Sequence, residues 1–270
     1  MIEVTAALGV VTVQDAGRPG WMHQGIPSGG ALVPALLARA NRAAGNAPGT
    51  AGLEIVGSVR VRALAGHVMA SDDGDARSLS GDETFDVSCG AARVRYLAVR
   101  GGVDVPLVLG SRSTLLTAAL GGHLGRALRK GDTLPVGAPS EASPRPKIPD
   151  VPDLAGPVRI VPGPDFEAFA AGALELLLRS AYAISPRSDR VGVRLEGPPL
   201  ARAGDDAGGS APMVRGAIQV PAAGEAIVLG PDGPTRGGYP VIATVVGADL
   251  GAVMARPGGC VLRFALAEPG

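Results

Sequence analysis

The sequence contains little of what several common classes of protein need. It has 2 cysteines in 270 residues, and aromatic residues make up 3% of it. Cys89 and Cys260 are far apart in the chain, and neither has a histidine or a second cysteine nearby. This spacing argues against a disulfide framework and against a zinc site. A reduced, cytosolic protein is the simpler expectation.

The sequence also has no excess of positive or negative charge and no long run of apolar residues. Lysine and arginine together number 25, aspartate and glutamate also number 25, and the formal net charge at pH 7 is +0. Such a balance does not favour a nucleic acid or a membrane surface as a partner. No stretch reaches the about 18 uninterrupted apolar residues of a spanning helix, and the first residues lack the basic segment of a signal peptide. We therefore expect a soluble, cytoplasmic protein.

What the sequence does contain is a series of short, apolar segments typical of strands. From Ser58 to Val99 apolar and polar residues alternate with a period of two, as in antiparallel strands with one solvated face. Further strands are predicted at Met1–Val13, Thr133–Val136, Ala217–Val220, Val241–Val246 and Val261–Ala265. Helices are predicted at Ala35–Ala44, with Gly45 as its stop, and at Asp165–Ala181. This inventory predicts a mainly β (α+β) fold, either a barrel or a sandwich, with two or three helices.

A proline-rich segment divides the chain. Residues 138–157 contain six prolines among serine, glutamate, lysine and aspartate, with almost no apolar periodicity. This composition indicates a linker or a surface strap between two lobes. We therefore expect a β-rich N-terminal lobe over residues 1–137 and a C-terminal β lobe over residues 158–270.

Three polar segments are candidates for a functional site. In the turn after the first strand, Asp15 and Arg18 either form an ion pair that fixes the turn or leave Arg18 to face an anion. Arg190 and Arg194 share one face of a predicted strand, which is either solvated or anion-binding. The stretch Gln219–Pro240, rich in glycine and proline, forms either ordinary turns or a ligand-binding loop.

Other polar positions favour structural roles. Glu54 lies between apolar neighbours, so we expect it to be buried, partnered and used to anchor the preceding loop. His67 is near the acidic segment Asp72–Asp75 but has no second histidine at ligand spacing, which favours a solvated hairpin tip over a metal site. The glycine-rich segment Gly121–Leu128 matches neither a P-loop nor a dinucleotide-binding motif.

The order of the motifs along the chain carries more information than any one of them. They are Thr12-Val13-Gln14-Asp15-x-Gly17-Arg18-x-Gly20, Gly25-x-Pro27-Ser28-Gly29, Ala40-Asn41, Gly45-Asn46, Leu53-Glu54, Arg100-Gly101-Gly102, Gly110-Ser111-x-Ser113-Thr114, Pro162-Gly163-Pro164, Ser185-x-x-Ser188-x-Arg190-x-Gly192-x-Arg194-Leu195, Ile218-Gln219-Val220-Pro221 and Gly237-Gly238-Tyr239-Pro240. Over nearly its whole length the chain resembles the biotin-dependent carboxyltransferase family, which includes allophanate hydrolase subunit 2 and the C subunits of 5-oxoprolinases.

This resemblance implies a cyclophilin-like β-barrel architecture, with both lobes in one carboxyltransferase-type module. It implies that the chain is part of a hydrolase that opens 5-oxo-L-proline to L-glutamate, with ATP and magnesium as cofactors. The implied partners are a homologue of the B subunit, also called allophanate hydrolase subunit 1, and a protein that resembles the A subunit. Two alternatives stay open: the carboxyltransferase half of a biotin-dependent urea carboxylase, and a non-catalytic regulator of a kinase inhibitor.

The resemblance also implies which residues form the site. The catalytic set is Arg18, Arg190, Arg194, Gln219 and Tyr239, and the substrate- or nucleotide-binding set is Gln14, Asp15, Ser188, Gly237 and Gly238. No metal ligand is predicted. In this interpretation the arginines supply positive charge, the glutamine amides bind a lactam or ureido edge, and the tyrosine stacks or donates its hydroxyl.

The sequence departs from the family pattern at a few positions. Leu32-Val33 stand where the family has Met-Asp, so a carboxylate is missing there. Pro234 replaces a glutamine, and Asp189 replaces an asparagine. These changes bear on the identity of the substrate more than on the fold.

Overall fold

A computed structural model describes residues 1–139, 152–204 and 209–268. The chain divides into two units, the first formed by Met1–Pro19 and Ser28–Val151, the second by Gly20–Pro27 and Pro152–Gly270. We call them unit 1 and unit 2. Most of the predicted linker, residues 140–151, lies outside the described residues.

Unit 1 is built on one antiparallel sheet. Its elements are β1 (Ile2–Gln14), α1 (Pro34–Ala44), β2 (Gly52–Ala63), β3 (His67–Ser71), β4 (Ala76–Leu79), β5 (Thr84–Ser88), β6 (Arg95–Val99) and β7 (Thr133–Leu134). The strands follow the order β4-β3-β6-β2-β1-β7, and β5 also pairs with β2. The antiparallel strands predicted between Ser58 and Val99 are confirmed.

Alternation in the sequence explains how this sheet packs. Val11 and Val13 on β1, with Ile55 and Val61 on β2, are buried together with Phe85 on β5. Burying each side chain of this size stabilises the fold by about 1.5–3 kcal/mol. One face of the sheet therefore forms this core. The other face carries exposed residues such as Arg60 and Asp86 on β2 and β5, and buried Tyr96 and Ala98 on β6, against which α1 packs.

Helix α1 begins and ends where the sequence indicates. Pro34 occupies the first turn, where a missing N–H costs no hydrogen bond. Gly45 follows with a φ of 81°, and its N–H bonds to the Arg42 carbonyl oxygen to close the helix. The predicted helix Ala35–Ala44 is confirmed.

Unit 2 contains a closed barrel. Its elements are β8 (Val158–Pro162), α2 (Ala173–Arg179), β9 (Ala181–Ile184), β10 (Gly192–Glu196), β11 (Ala211–Pro212), β12 (Ala217–Gln219), β13 (Ala226–Leu229), β14 (Arg236–Gly237), β15 (Val241–Val245), α3 (Gly247–Ala255) and β16 (Val261–Leu266). The barrel order is β10-β13-β12-β15-β8-β16-β9, and β11 pairs with β14 in a separate ribbon. The expected mainly β fold with a barrel and two or three helices is confirmed.

The helix predicted over Asp165–Ala181 is wrong in its first half and at its end. A 3₁₀ turn covers Phe166–Ala168, α2 begins only at Ala173, and Ala181 already belongs to β9. The backbone of Phe169 is extended because it pairs with Arg202 in an isolated antiparallel bridge. This long-range pairing overrides the helical spacing of the apolar residues. Helix α3 was not predicted.

Candidate functional site

The turn that follows β1 is organised by Asp15. Its Oδ1 accepts hydrogen bonds from Ser111 Oγ at 2.6 Å, from Ser113 Oγ at 2.5 Å and from the Gly17 N–H at 2.8 Å. Its Oδ2 accepts the N–H of Arg112 at 2.6 Å. Donors of this kind stabilise a carboxylate strongly. Asp15 therefore fixes the Ser111–Ser113 loop against the turn.

Gln14 and Arg18 are enclosed in the same region. Gln14 is fully buried, and its Nε2 donates to the Thr114 carbonyl oxygen at 3.0 Å. Arg18 is 1% exposed, and its guanidinium donates to the Ser113 carbonyl oxygen. The sequence predicted that Arg18 either pairs with Asp15 or faces an anion. Neither interpretation predicted that the Arg18 guanidinium donates to a backbone carbonyl of the protein.

Glu54 has the anchoring role that the sequence predicts. Its Oε2 accepts the Leu32 N–H and the Tyr96 hydroxyl, both at 2.7 Å. The Tyr96 hydroxyl oxygen in turn accepts the Val33 N–H at 2.9 Å. A buried carboxylate on β2 thus holds the segment that enters α1. The same segment contains Leu32-Val33, which stand where the family pattern has Met-Asp.

An ion pair fixes the glycine-rich segment near Gly121. Its Arg126 binds both carboxylate oxygens of Asp132 at 2.7 Å. Hydrogen bonds from Arg126 are the main reason that the pKa of Asp132 falls to about 2. The guanidinium is thereby engaged within unit 1 and closes the loop on itself.

Arg190 forms a buried ion pair in unit 2. Its Nε and Nη2 each lie 2.8 Å from an oxygen of Asp232, and the Asp232 N–H donates back to the Arg190 carbonyl oxygen. Arg190 also precedes β10, which begins at Gly192. The prediction that Arg190 and Arg194 share one face of a strand is therefore wrong, because the bend needed for the ion pair lies before the strand.

Arg194 lies on β10 and remains partly accessible. Its side chain is 40% exposed, and Nη1 lies 2.8 Å from Glu225 Oε2. The other oxygen of Glu225 accepts from Arg187 Nη2 at 2.9 Å. The Arg194 N–H donates to Ser188 Oγ at 3.0 Å, which ties the preceding turn to the strand.

Gln219 ends β12 beside the β11–β14 ribbon. It is 4% exposed, and its Nε2 lies 3.1 Å from Met213 Sδ and 3.3 Å from the Tyr239 carbonyl oxygen. A Cβ added at Gly237 would lie 2.8 Å from this amide nitrogen, so a larger residue there would require the Gln219 amide to shift. Tyr239 itself is 50% exposed. The Gln219 amide, the glycine backbone at Gly237 and the accessible ring of Tyr239 thus adjoin one another. Gly238 lies between Gly237 and Tyr239 in the chain.

The described residues offer no metal centre. Within residues 1–139, 152–204 and 209–268, no group of three or more His, Cys, Asp or Glu side chains could hold a metal ion. His67, at the start of β3, has its Nε2 3.0 Å from the Met1 amino nitrogen. In the same part of the chain no helix is long and apolar enough to cross a lipid bilayer.

The predicted site residues divide between the two units. Gln14, Asp15 and Arg18 belong to unit 1, and the others belong to unit 2. Residues that sequence reasoning did not assign to the site include Glu225, Asp232 and Met213, the side-chain partners of Arg194, Arg190 and Gln219. Glu225 and Asp232 are 31 and 42 residues from the arginines that they bind, so no local spacing identifies them.

Comparison with known proteins gives a consistent result. A family model described as carboxyltransferase domain, subdomain A and B, matches residues 24–266. The chain is 35% identical to the 5-oxoprolinase C subunit of Escherichia coli (strain K12), over 98% of this chain and 90% of that protein. It is 30% identical to the urea amidolyase of Lachancea kluyveri, over 96% of this chain but 16% of that protein.

Solved structures show the same likeness. The K. lactis urea amidolyase matches with a TM-score of 0.84 and 27% identity, over 99% of this chain. The Kluyveromyces lactis urea carboxylase matches with a TM-score of 0.83 and 28% identity, again over 99% of this chain. This chain spans 19% and 27% of the length of those two proteins.

Proposed function

The chain belongs to the family of carboxyltransferase domains with subdomains A and B, and from this membership we propose that it is the C subunit of an ATP-dependent 5-oxoprolinase. In this role it opens 5-oxo-L-proline to L-glutamate together with homologues of the A and B subunits. The observation that supports the proposal most is the 35% identity to the C subunit of a 5-oxoprolinase, which extends across 90% of that protein's length. The corresponding match to urea amidolyase covers 16% of the relative.

The chemistry of a lactam suits the groups around Gln219. Opening the ring requires that amide resonance be broken and that charge developing on the carbonyl oxygen be stabilised by oriented donors. Gln219 supplies an amide N–H₂ whose present partners include a thioether sulfur, a weak acceptor that a lactam oxygen would replace favourably. Gly237 and Gly238 permit close approach, and Tyr239 presents an accessible ring and hydroxyl.

In our proposal the charge near Gln219 comes from Arg194, which like Gln219 is in register with Ile227 on β13, and not from Arg18 or Arg190. Arg194 is 40% exposed and is positioned through the bond from its N–H to Ser188. Arg18 and Arg190 are buried, the one against a backbone carbonyl and the other against Asp232. In our proposal Arg18 and Arg190, with Gln14 and Asp15, are positioning residues that hold loops.

The described residues do not fit ATP and magnesium. Neither buried arginine presents its guanidinium to a ligand, and no acidic cluster suited to a divalent cation occurs in the part of the chain that the structure describes. The chain also lacks a P-loop sequence. We therefore assign the nucleotide to a partner protein and no ATP-dependent step to this chain.

Carboxyl transfer is the second candidate, and one observation favours it. The structural likeness to urea amidolyase and urea carboxylase is high, with TM-scores of 0.84 and 0.83. The amide of Gln219 would then face the ureido oxygen of biotin in place of a lactam oxygen. Transfer of CO₂ from carboxybiotin to urea, with no glutamate formed from 5-oxo-L-proline, would favour this candidate.

Reconstitution with homologues of the A and B subunits tests the proposal. The wild-type complex should release L-glutamate from 5-oxo-L-proline when ATP is present. Gln219→Ala should lower kcat about 100-fold, because one oriented donor to the developing oxyanion is removed. Arg60→Gln, which alters an exposed ion pair in unit 1, is the matched control and should keep the wild-type rate.

Two results would count against this assignment. A wild-type complex that forms no glutamate overturns the proposed activity itself. Full activity in the Gln219→Ala complex, with an unchanged thermal unfolding curve, overturns the role of Gln219 while leaving the activity in place.

A further inference from the structure

Glu225 in unit 2 holds two arginines at once. Its Oε1 lies 2.9 Å from Arg187 Nη2, and its Oε2 lies 2.8 Å from Arg194 Nη1. One carboxylate therefore spans the gap between the two guanidiniums. Any ligand carboxylate has the same distance between its oxygens, so the arginines are already spaced to bind one. The three side chains together leave one positive charge uncompensated.

A cavity adjoins this cluster. It has a volume of about 280 Å³, and Glu225 is part of its lining. Pro199 and Ala223 supply apolar surface, Leu195 borders the cavity from the buried core, and Glu196 supplies a second carboxylate. The volume is close to the lower end of the roughly 300–1,000 Å³ range of small-molecule sites, so it suits a compact ligand.

We propose that Arg187 and Arg194 form a subsite for the carboxylate of a small substrate, and that Glu225 occupies this subsite as an internal stand-in. When the substrate binds, its carboxylate replaces that of Glu225 on the two guanidiniums. The remainder of the molecule lies in the cavity, against Pro199 and Ala223. Neither Arg187 nor Glu225 is among the site residues predicted from the sequence.

Exposure makes this exchange feasible. The Arg187 and Arg194 side chains are 67% and 40% exposed, and that of Glu225 is 24% exposed. Ion pairs this close to solvent are weak, so a ligand can displace Glu225 at a cost of about tenfold in affinity. By contrast, the buried pair of Arg190 and Asp232 has no comparable access. The segment from Arg187 to Arg194 thus contains one arginine with a structural role, Arg190, and two that can exchange partners, Arg187 and Arg194.

The identity of the ligand rests on the proposed function. 5-Oxo-L-proline carries one carboxylate, a compact ring and a lactam N–H. The carboxylate suits the arginine pair, the ring suits the apolar lining, and the N–H is a donor for Glu196, which lines the same cavity. Inorganic phosphate shares the anionic character but lacks the ring and the N–H.

Binding to the full-length chain alone tests the subsite. Titration calorimetry with 5-oxo-L-proline should show about tenfold tighter binding to Glu225→Gln than to the wild type, because the competing carboxylate is gone. Arg187→Gln added to Glu225→Gln should abolish the gain. The methyl ester of 5-oxo-L-proline, which lacks the carboxylate, should bind no more tightly to Glu225→Gln than to the wild type.

Asp86→Asn is the matched control. It releases the exposed Arg60 from its partner in the same way, but neither Arg60 nor Asp86 lines the cavity beside Glu225. The proposal is overturned if Glu225→Gln gains no affinity, if the ester gains as much as the acid, or if Asp86→Asn gains equally. An equal gain for inorganic phosphate overturns the assignment to a carboxylate substrate.

Failure of the subsite and failure of the proposed function give different results. If the complex forms glutamate but Glu225→Gln gains no affinity, only the subsite is wrong. If Glu225→Gln gains affinity for 5-oxo-L-proline but the wild-type complex forms no glutamate, the subsite stands and the proposed activity is wrong.

Discussion

Arg190 shows how burial changes what an arginine side chain does. In the sequence it belongs to a segment with several arginines and hydroxyl groups, which suggests an anion-binding surface. In the structure it is buried and bound through two hydrogen bonds to Asp232. A buried charge requires such a partner, because its desolvation is costly. The pair therefore stabilises the Arg190 and Asp232 segments against each other.

This pair carries a prediction about stability. Arg190→Ala leaves the Asp232 carboxylate buried without its guanidinium and should lower the free energy of unfolding by about 3–5 kcal/mol. Urea denaturation followed by circular dichroism measures it. Arg60→Ala breaks the exposed pair with Asp86 and should cost about 0–1 kcal/mol.

The double variant Arg190→Met with Asp232→Leu separates charge from packing. It should recover much of the lost stability, because replacing both partners of a buried ion pair with well-packed apolar groups is often neutral or stabilising. An Arg190→Ala variant as stable as Arg60→Ala would show that the pair has no such role.

For single residues, the sequence predicts burial or a place in a turn, but it does not predict which side chains are the hydrogen-bond partners. Asp15 could be identified as a turn residue from its neighbours, but its hydroxyl donors Ser111 and Ser113 come from 96 and 98 residues away. Glu54 was recognised as buried and anchoring because its apolar neighbours indicate burial. The identity of its donors, Leu32 and Tyr96, depended on the fold.

Among the elements, strands were predicted better than helices. The alternation of apolar and polar residues in β2 and β5 is a local property, since successive side chains point to opposite faces of a sheet. Helical spacing after Asp165 is equally local, yet it failed where Phe169 pairs with Arg202. Helix α3 has two glycines in nine residues and no capping side chain, so no start signal marks it.

The pairing of β1 with β2 carries the second stability prediction. Gly9 and Gly57 face each other across these strands, and a Cβ at Gly57 would lie 2.1 Å from the Leu8 carbonyl oxygen. Gly57→Ala should therefore lower the free energy of unfolding by about 3 kcal/mol or more, from both the positive φ and the clash. Thermal and urea unfolding measure this.

Gly45→Ala is the matched control, because Gly45 also has a positive φ but a Cβ there meets nothing within 4 Å. It should cost only about 1–2 kcal/mol. Equal losses in the two variants would mean that the close approach of β1 and β2 relaxes without cost.

At the scale of the whole molecule, barrel closure depends on one parallel contact. β16 pairs with β8 in parallel, whereas the other neighbouring pairs of the barrel are antiparallel. An odd number of strands cannot alternate in direction all the way round, so closure of this barrel requires such a pair. The two strands lie about a hundred residues apart, and no strand pattern in the sequence indicates which of them meet.

Activity is also predicted to belong to the assembly and not to this chain. The chain alone should release no glutamate from 5-oxo-L-proline with ATP, because our proposal assigns the nucleotide to a partner protein. Adding the homologues of the A and B subunits should restore release, measured by a coupled glutamate assay. Glutamate formed by the chain alone would contradict this.

The sequence by itself determined the family, the mainly β class and the segments that carry polar chemistry, because motif order and residue periodicity are properties of the chain. Only the tertiary structure decided which of the predicted arginines are buried and which are exposed to solvent. Arg18 and Arg190 are buried against partners from distant segments, whereas Arg194 shares an exposed carboxylate with Arg187. Burial and ion pairing arise from contacts between residues far apart in the chain, and a local pattern does not contain them.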